Sequence, residues 1–332
     1  MPQLKLKILL RGGLFLLRVY CFFRQKKNKE RMIAAMLLIP AVVLLIPTYT
    51  FELTLLQSFL FQAMLVYGLF SILWIVKHHY RLAGINFLIY LLLLFKVNGP
   101  MEVAGYNVSQ GSEQLKVMQF NVHAINKTYE ETIARVIQLS PDLISFQEVG
   151  PVWADALKRG LKVDYPHYTV MSNPLESQGI AVFSKYPLVD TERLLWEGTA
   201  NIAGKVRVGD EQINFLAMHT MSPTTKLRWK ERNTHIQKAK KHIANKGGEF
   251  LVLGDFNTVP WDKRLLSFKA STKLKDSRKK LTPTYPTWNP FVGQIPIDYI
   301  FHSDGIGCDS LDAVMITSDH KAIMGTFQIA GG

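Results

Sequence analysis

Cysteine is almost missing from this chain of 332 residues, in which Cys21 and Cys308 are the only two. One of the pair lies inside an apolar amino-terminal stretch, so a disulfide framework and a cysteine metal site are both excluded. Acidic residues are scarce over the first hundred positions, where 2 stand against 12 Lys and Arg, while positions 101 to 332 carry 24 against 27. The net charge of +13 therefore divides into +10 and +3, and the high pI is poor support for a polynucleotide partner. Internal repeats and low-complexity segments are absent, which excludes a solenoid. No His-Glu-x-x-His or comparable close histidine pair occurs, and this counts against zinc.

Uncharged apolar sequence is abundant in the amino-terminal third. Residues 32 to 51 contain no charge and come close to the ~20 residues that cross a bilayer. Leu53 to Val76 forms a second such stretch, and Leu82 to Phe95, extended to Met101 by a snorkelling Lys96, forms a third. Three transmembrane helices are therefore predicted over 32–101. Arg24, Lys26, Lys27, Lys29 and Arg31 precede the first span, and Lys77 and Arg81 separate the second from the third. The loop Pro47 to Glu52 has neither Lys nor Arg, so the positive-inside bias sends the chain outward after the third span. The expectation is an integral inner or plasma membrane protein, with everything after residue 101 on the extracytoplasmic (periplasmic) side. Within 1–31, Lys7, Arg11 and Arg18 share one helical face of an otherwise apolar stretch, which predicts a basic amphipathic segment on the cytoplasmic surface. Residues 102–113 read as a linker to a folded domain over 114–332.

That domain is organised around residues 250 to 257. Phe250 to Leu253 is an apolar run of strand character, and Gly254 lets the chain turn so that Asp255 and Asn257 leave the strand end with Phe256 anchored between them. A carboxylate beside a carboxamide suits the activation of water, because the first takes a proton and the second orients the water or holds a phosphate oxygen. The pattern of a strand with polar residues at its boundary repeats. Lys116 to Phe120 is followed by Asn121 and His123, Asp142 to Phe146 by Gln147 and Glu148, and Ile213 to Met218 by His219. Asp298 lies early in the strand Ile297 to Phe301, and Asp319 and His320 stand before the strand Ile323 to Phe327. Thr128 to Leu139 has helical spacing, and Ile180 to Phe183 is a further strand. Arg228 to Ile243 reads as a basic helix, in which Arg228 and Arg232 are candidate phosphate ligands. A second basic segment runs from Lys263 to Lys280, followed by a loop from Thr282 to Pro290. Polar groups released at so many strand boundaries point to one shared cleft. The set is rich in oxygen and poor in sulfur, which favours Mg2+ or Mn2+.

Taken in order, Gln-Phe-Asn121, Gln-Glu148, Gly179-Ile-Ala-Val-Phe-Ser-Lys-Tyr-Pro187, Met-His219, Gly254-Asp-Phe-Asn257, Ile-Asp298-Tyr-Ile-Phe301 and Ser318-Asp-His320 resemble the endonuclease/exonuclease/phosphatase superfamily, in a membrane-anchored, bacterial-type form. The resemblance covers about residues 114 to 330. It implies an α/β fold, a four-layer α/β/β/α sandwich of two packed sheets flanked by helices, here preceded by transmembrane helices. It also implies divalent-metal hydrolysis of a phosphoester, with Mg2+ or Mn2+ as cofactor. Glu148 resembles the principal metal ligand, with Asn121 assisting and Asp319 at a second metal position. Asp255 would polarise the attacking water, with Asn257 orienting it. His320, supported by Asp298, is similar to the histidine that meets the scissile phosphate, and His219 to the residue that relieves charge on the leaving oxygen. The chain departs from the family pattern at Pro296, where a basic residue is frequent, and at Gln178, where some members place Asn; both positions bear on phosphate binding.

The resulting expectation is a membrane-anchored phosphodiesterase, of endonuclease type, with its two basic segments tracking a phosphate backbone. Tethering to a lipid bilayer supports an alternative, a phospholipid head-group phosphodiesterase or phosphatase of sphingomyelinase type. A catalytically silent membrane-bound binding module is the alternative of another class, and the retention of every polar position argues against it.

Overall fold

A computed structural model describes residues 26–47, 49–100, 113–173 and 176–329. Four helices open the described chain: α1 (Lys26–Leu45), α2 (Phe51–Ser58), α3 (Leu60–Val76) and α4 (Tyr80–Asn98). The chain divides into two units, one made of residues 1–46 and 60–96 and the other of 47–59 and 97–332. In the first unit, the Lys96 ammonium donates to the Leu44 carbonyl at 2.8 Å, as well as to those of Leu45 and Ile46, and so satisfies carbonyls left open at the end of α1. Tyr67 donates its hydroxyl to Leu37 O at 2.8 Å, and Ser71 donates to Ala83 O at 3.0 Å.

The predicted spans and the helices differ in their limits. Among the described residues, α4 is the one helix long and apolar enough to cross a membrane by itself, and α2 with α3 passes only as a bent pair. The apolar stretch read from Leu53 to Val76 is interrupted at Phe59, where the backbone leaves the helical region. The stretch read over 32–51 is helical only as far as Leu45. Residues 47–59 belong with the carboxy-terminal unit, which therefore begins well before the predicted boundary at 114. Residues 1–25 of the amphipathic segment read within 1–31, and nearly all of the linker read at 102–113, lie outside the described residues, while 26–31 open α1.

The second unit contains two packed mixed sheets flanked by helices. Its elements are β1 (Glu113–Asn121), α5 (Tyr129–Leu139), β2 (Leu143–Gln147), α6 (Pro151–Leu161), β3 (His167–Met171), β4 (Ile180–Ser184), β5 (Leu188–Trp196) and β6 (Thr199–Val208). There follow β7 (Glu211–His219), α7 (Lys226–Lys246), β8 (Phe250–Asp255), α8 (Lys263–Thr272), β9 (Lys275–Asp276), β10 (Asp298–His302), β11 (Ile306–Val314) and β12 (Ala322–Ile329). One sheet runs β11-β12-β1-β2-β4-β3 and the other β5-β6-β7-β8-β10-β9. In each, a central parallel pair, β1 with β2 and β7 with β8, has antiparallel neighbours. Strand alternation explains the layers. Val117, Leu143, Val182, Phe215, Leu253 and Ile300 pack between the sheets, while Met118, Phe120, Ile144 and Phe146 face α5 and α6. Leu216, Val252 and Phe301 face α7 and α8.

Phe256 belongs to that last cluster, with its ring edge-on to Phe268, Tyr299 and Phe301. Burying such a ring contributes about 2 to 3 kcal/mol, which fixes the turn after β8. Helix α7 buries Arg232, His235 and Ile236 along one stripe. His235 donates Nε2–H to Asn201 Oδ1 at 2.8 Å and leaves Nδ1 without a partner; burial drives its pKa down to about 3. The unfolded imidazole binds a proton below about pH 6.5 and the folded one does not, so stability is lost as pH falls through that window. Between pH 6.5 and 5 the wild type is expected to lose about 2 kcal/mol more unfolding free energy than His235→Gln, read by urea titration at the two pH values.

Candidate active site

Strand register brings the polar residues to one edge. Asn121 lies beside Gln147 at the end of the first parallel pair, and His219 lies beside Asp255 at the end of the second. Asp298 opens the antiparallel strand β10 directly opposite Asp255, and His320 stands two residues before β12, the antiparallel neighbour of β1. Asp298, Asp319 and His320 thus come from strand beginnings, yet they meet the strand ends because antiparallel neighbours start where the parallel pairs finish. The backbones also approach closely here. A Cβ on Gly254 would lie 1.9 Å from Met218 O, and one on Gly179 would lie 2.0 Å from Val149 O, so neither position accepts a side chain. His123, Glu148 and Asn257 hold left-handed backbones with φ of 61°, 60° and 47°. Such conformations cost on the order of 1 kcal/mol each in a non-glycine residue and cluster at functional turns.

Hydrogen bonds lock the set together. Gln119, two residues before Asn121 and on the same strand face, donates across the sheet interface to Asp298 Oδ1 at 2.9 Å and to Gln147 Oε1 at 2.7 Å. The other Asp298 oxygen lies 2.9 Å from His320 Nδ1, and His320 Nε2 is 3.8 Å from Asp255 Oδ2. Burial alone would lower the His320 pKa, but the charge and hydrogen bond of Asp298, reinforced by Asp255 and Asp319, push it up to about 10. This imidazole is a cation at neutral pH. Asp255 moves the other way from an ordinary carboxyl: burial first, then the Asp298 charge, raises it to about 8. Its Oδ1 accepts from Asn257 N at 2.8 Å and its Oδ2 from Asn121 Nδ2 at 3.2 Å. Glu148 accepts from Asn121 Nδ2 at 3.0 Å and from Ala124 N at 2.9 Å. Burial would raise its pKa, but these two donors and the cationic His320 hold it below the usual range. Burial holds His219 neutral; its Nε2 is 3.4 Å from Asn257 Nδ2 and 3.7 Å from Asp255 Oδ2.

Eight of the sequence-predicted residues, Asn121, Glu148, His219, Asp255, Asn257, Asp298, Asp319 and His320, belong to this cluster. Gln178 and Arg228 line the same open cleft of about 800 Å³. Arg232 does not. It is 1% exposed, donates to Asn257 O at 3.0 Å and lies 3.8 Å from Asp262, so it braces the turn from behind. Tyr285 and Gln119 join the site unannounced, and His123, noted at its strand end, joins it without having been given a role. His123 Nδ1 is 3.5 Å from Asp319 Oδ1, and the Tyr285 ring lies 4.6 Å from that of His320. The spacing of Gln119 from Asn121 was a usable signal, whereas nothing in the loop sequence singled out Tyr285.

The donor set fits a hard divalent cation. Glu148, Asp255 and Asp319 face one cleft, and after burial the Glu148 charge contributes to the raised pKa of both aspartates. A cation relieves that repulsion. Asp255, Asp298 and His320 also present ligand atoms within 4.8 Å of one another. In that trio, however, Asp298 is fully buried, spent on His320 and absent from the cleft lining, and His320 is protonated, so Glu148 and Asp319, with Asn121 assisting, are the better donors.

Residues 118–320 match the model of the Endonuclease/Exonuclease/phosphatase family. Among solved structures the chain is similar to TDP2 of D. rerio complexed with a single-strand DNA product, at 17% identity over 64% of this chain and 98% of that one, with a TM-score of 0.55. It is similar to sphingomyelinase C of Streptomyces griseocarneus at 16% identity over 66% of this chain and 100% of that one, TM-score 0.50. A mannosyl-6-phosphatase of Bacteroides thetaiotaomicron shares 17% identity over 64% of this chain and 99% of that one, TM-score 0.52. At such identities these three likenesses show the fold alone. Among curated proteins, none matches significantly.

Proposed function

Because the chain belongs to the endonuclease/exonuclease/phosphatase family, whose members are metal-dependent phosphoesterase hydrolases, we propose that it is a membrane-anchored phosphodiesterase working on the extracytoplasmic side. The convergence of Asp298, His320, Asp255, Asn257 and Glu148 on one cleft carries this reading. Glu148, Asn121 and Asp319 would hold Mg2+ or Mn2+, which supplies charge against the developing phosphoryl oxygens. Asp255, which holds its proton to about pH 8 without a cation and would release it as Mg2+ or Mn2+ binds beside it, takes the proton of the attacking water. Asn257, tied to Thr220 O at 2.9 Å, orients that water. His320, kept cationic by Asp298, meets the phosphate, and neutral His219 hydrogen-bonds the leaving oxygen. The apolar helix α4 and the basic residues flanking the apolar stretches support the anchoring and the orientation.

The state of the basic segments favours a head-group-sized phosphodiester at the bilayer surface. Lys238 pairs with Glu197, Lys246 with Glu192, Lys275 with Asp304 and Lys280 with Asp312, and Arg278 is buried against Asp276. Exposed pairs add little stability, but each one cancels a charge that a polynucleotide backbone would need. Endonuclease-type cleavage of nucleic acid is the second reading. It is favoured by Trp288, 67% exposed and edge-on to Tyr285 at 6.0 Å beside His320, a surface on which a base can stack. The two readings separate in one assay of the full-length chain with Mg2+, offered phospholipid vesicles or single-stranded DNA at about 50 and 200 mM salt. The head-group reading predicts turnover on vesicles that changes by less than about 3-fold with salt, whereas DNA cleavage falling steeply with salt would replace it with the second.

A further inference from the structure

Helix α2 lies more than fifty residues before β1 in the sequence, yet it is keyed into the back of the catalytic unit. Its two buried side chains are polar: Thr54 and Gln57 are 2% and 1% exposed. Its apolar residues Leu55 and Leu56 point outward at 37% and 49%. The helix is therefore amphipathic in reverse, which a polar anchor on the buried side explains. Trp229 of α7 donates its indole N–H to Thr54 Oγ1 at 3.1 Å, and the Thr54 hydroxyl in turn donates to Thr50 O at 2.9 Å. Trp261 donates to Gln57 O at 2.7 Å, and the Lys263 ammonium sits 3.7 Å from the Tyr49 ring centre. A buried indole N–H left without its acceptor loses the water it gave up on folding and gains nothing in return, so these contacts hold the helix in one place.

The contact with Trp261 reaches the active site within five residues. Asp262, next in sequence, accepts from Arg264 N at 2.7 Å and faces Arg232 at 3.8 Å. Arg232 donates to Asn257 O, and the side chain of Asn257 stands against His219. The Arg264 guanidinium closes the circuit 4.4 Å over the Trp229 ring. We infer that α2 is a positioning element of the hydrolytic site, holding the turn from Asn257 to Asp262 through Trp261, Asp262 and Arg232. The inference rests on the proposed hydrolysis only in giving Asn257 a catalytic role. It makes the membrane-proximal segment part of the active enzyme rather than a spacer, and a fragment starting near residue 113 lacks it.

The test uses the full-length chain. Leu55→Pro breaks α2 from its outward face, since Pro removes a helix hydrogen bond and clashes with the carbonyl four residues earlier. Leu56→Ala on the same face is the control. By hydrogen exchange, the amides of residues 257 to 259, 261 and 262 are expected to exchange at least about 10-fold faster in Leu55→Pro, while those of β8 and β1 keep their protection. This readout needs no turnover. On bis-(p-nitrophenyl) phosphate, kcat is expected to fall about 10-fold with KM within 2-fold, Trp261→Phe falling part of the way. If α2 acts through Asn257, adding Leu55→Pro to Asn257→Ala lowers kcat no further, whereas independent effects multiply. Unchanged exchange in the turn of Leu55→Pro, or multiplicative losses in the double variant, would overturn the inference. A wild type that hydrolyses nothing would sink the proposed function and leave the exchange result to decide this one.

Discussion

Asp255→Asn is expected to lower kcat about 1,000- to 10,000-fold while the protein stays folded and, without cation, becomes more stable near pH 8. Asn keeps the size of the side chain and an acceptor for Asn257 N, but it cannot take a proton from water. The stability gain follows from linkage. The unfolded carboxyl releases its proton near pH 3.8 and the folded one holds it to about 8, so the wild type loses stability as pH rises through that window. Each pH unit inside it accounts for at most about 1.4 kcal/mol, a difference the Asn variant does not show. Steady-state rates together with urea unfolding at pH 5 and pH 8 measure both effects. A variant that keeps more than about a tenth of wild-type kcat would remove Asp255 from the role of base.

Glu148→Gln produces the second large effect. Glu148 is ionised at neutral pH, because the Asn121 and Ala124 N–H donors and the cationic His320 favour its charged form. Gln retains the shape and one acceptor oxygen but loses the charge that a hard cation needs. The Mg2+ concentration giving half-maximal rate is expected to rise on the order of 100-fold, with much of the rate regained at saturating Mg2+. Asp255→Asn should show no such rescue. A Mg2+ titration of both variants separates them, and an unchanged midpoint in Glu148→Gln would move the cation site to Asp255, Asp298 and His320.

The ends of the strands were legible in the sequence, and their register was not. An apolar run followed by Gly254, Asp255 and Asn257 signals a strand and a turn, and burial of both faces explains why the run is continuous. Nothing local showed that Asp298 would face Asp255 across a strand pair, or that Gln119 would reach Asp298 from the other sheet. Edge strands were harder still. β5 alternates partly buried and exposed residues, with Glu192 and Arg193 inside it, so its sequence reads as a polar connection until β6 is there to pair with it. Helix α8 was hidden because only Leu265 and Phe268 are buried among its basic residues. Arg232 shows the limit of reading charge as function. Its position on the buried stripe of α7 turns a basic residue toward the protein interior, where it binds a carbonyl rather than a phosphate. The place of α2 was invisible because its inward residues are polar and its outward ones apolar, which in sequence is simply the start of another span.

The most direct test is the initial rate of the full-length chain on bis-(p-nitrophenyl) phosphate, measured with Mg2+, after chelation, and after Mg2+ is restored. Turnover is expected to disappear on chelation, to return with Mg2+, and to be absent throughout in Asp255→Asn. Turnover that survives chelation, or a folded wild type that binds Mg2+ and hydrolyses nothing, would contradict the proposed hydrolysis.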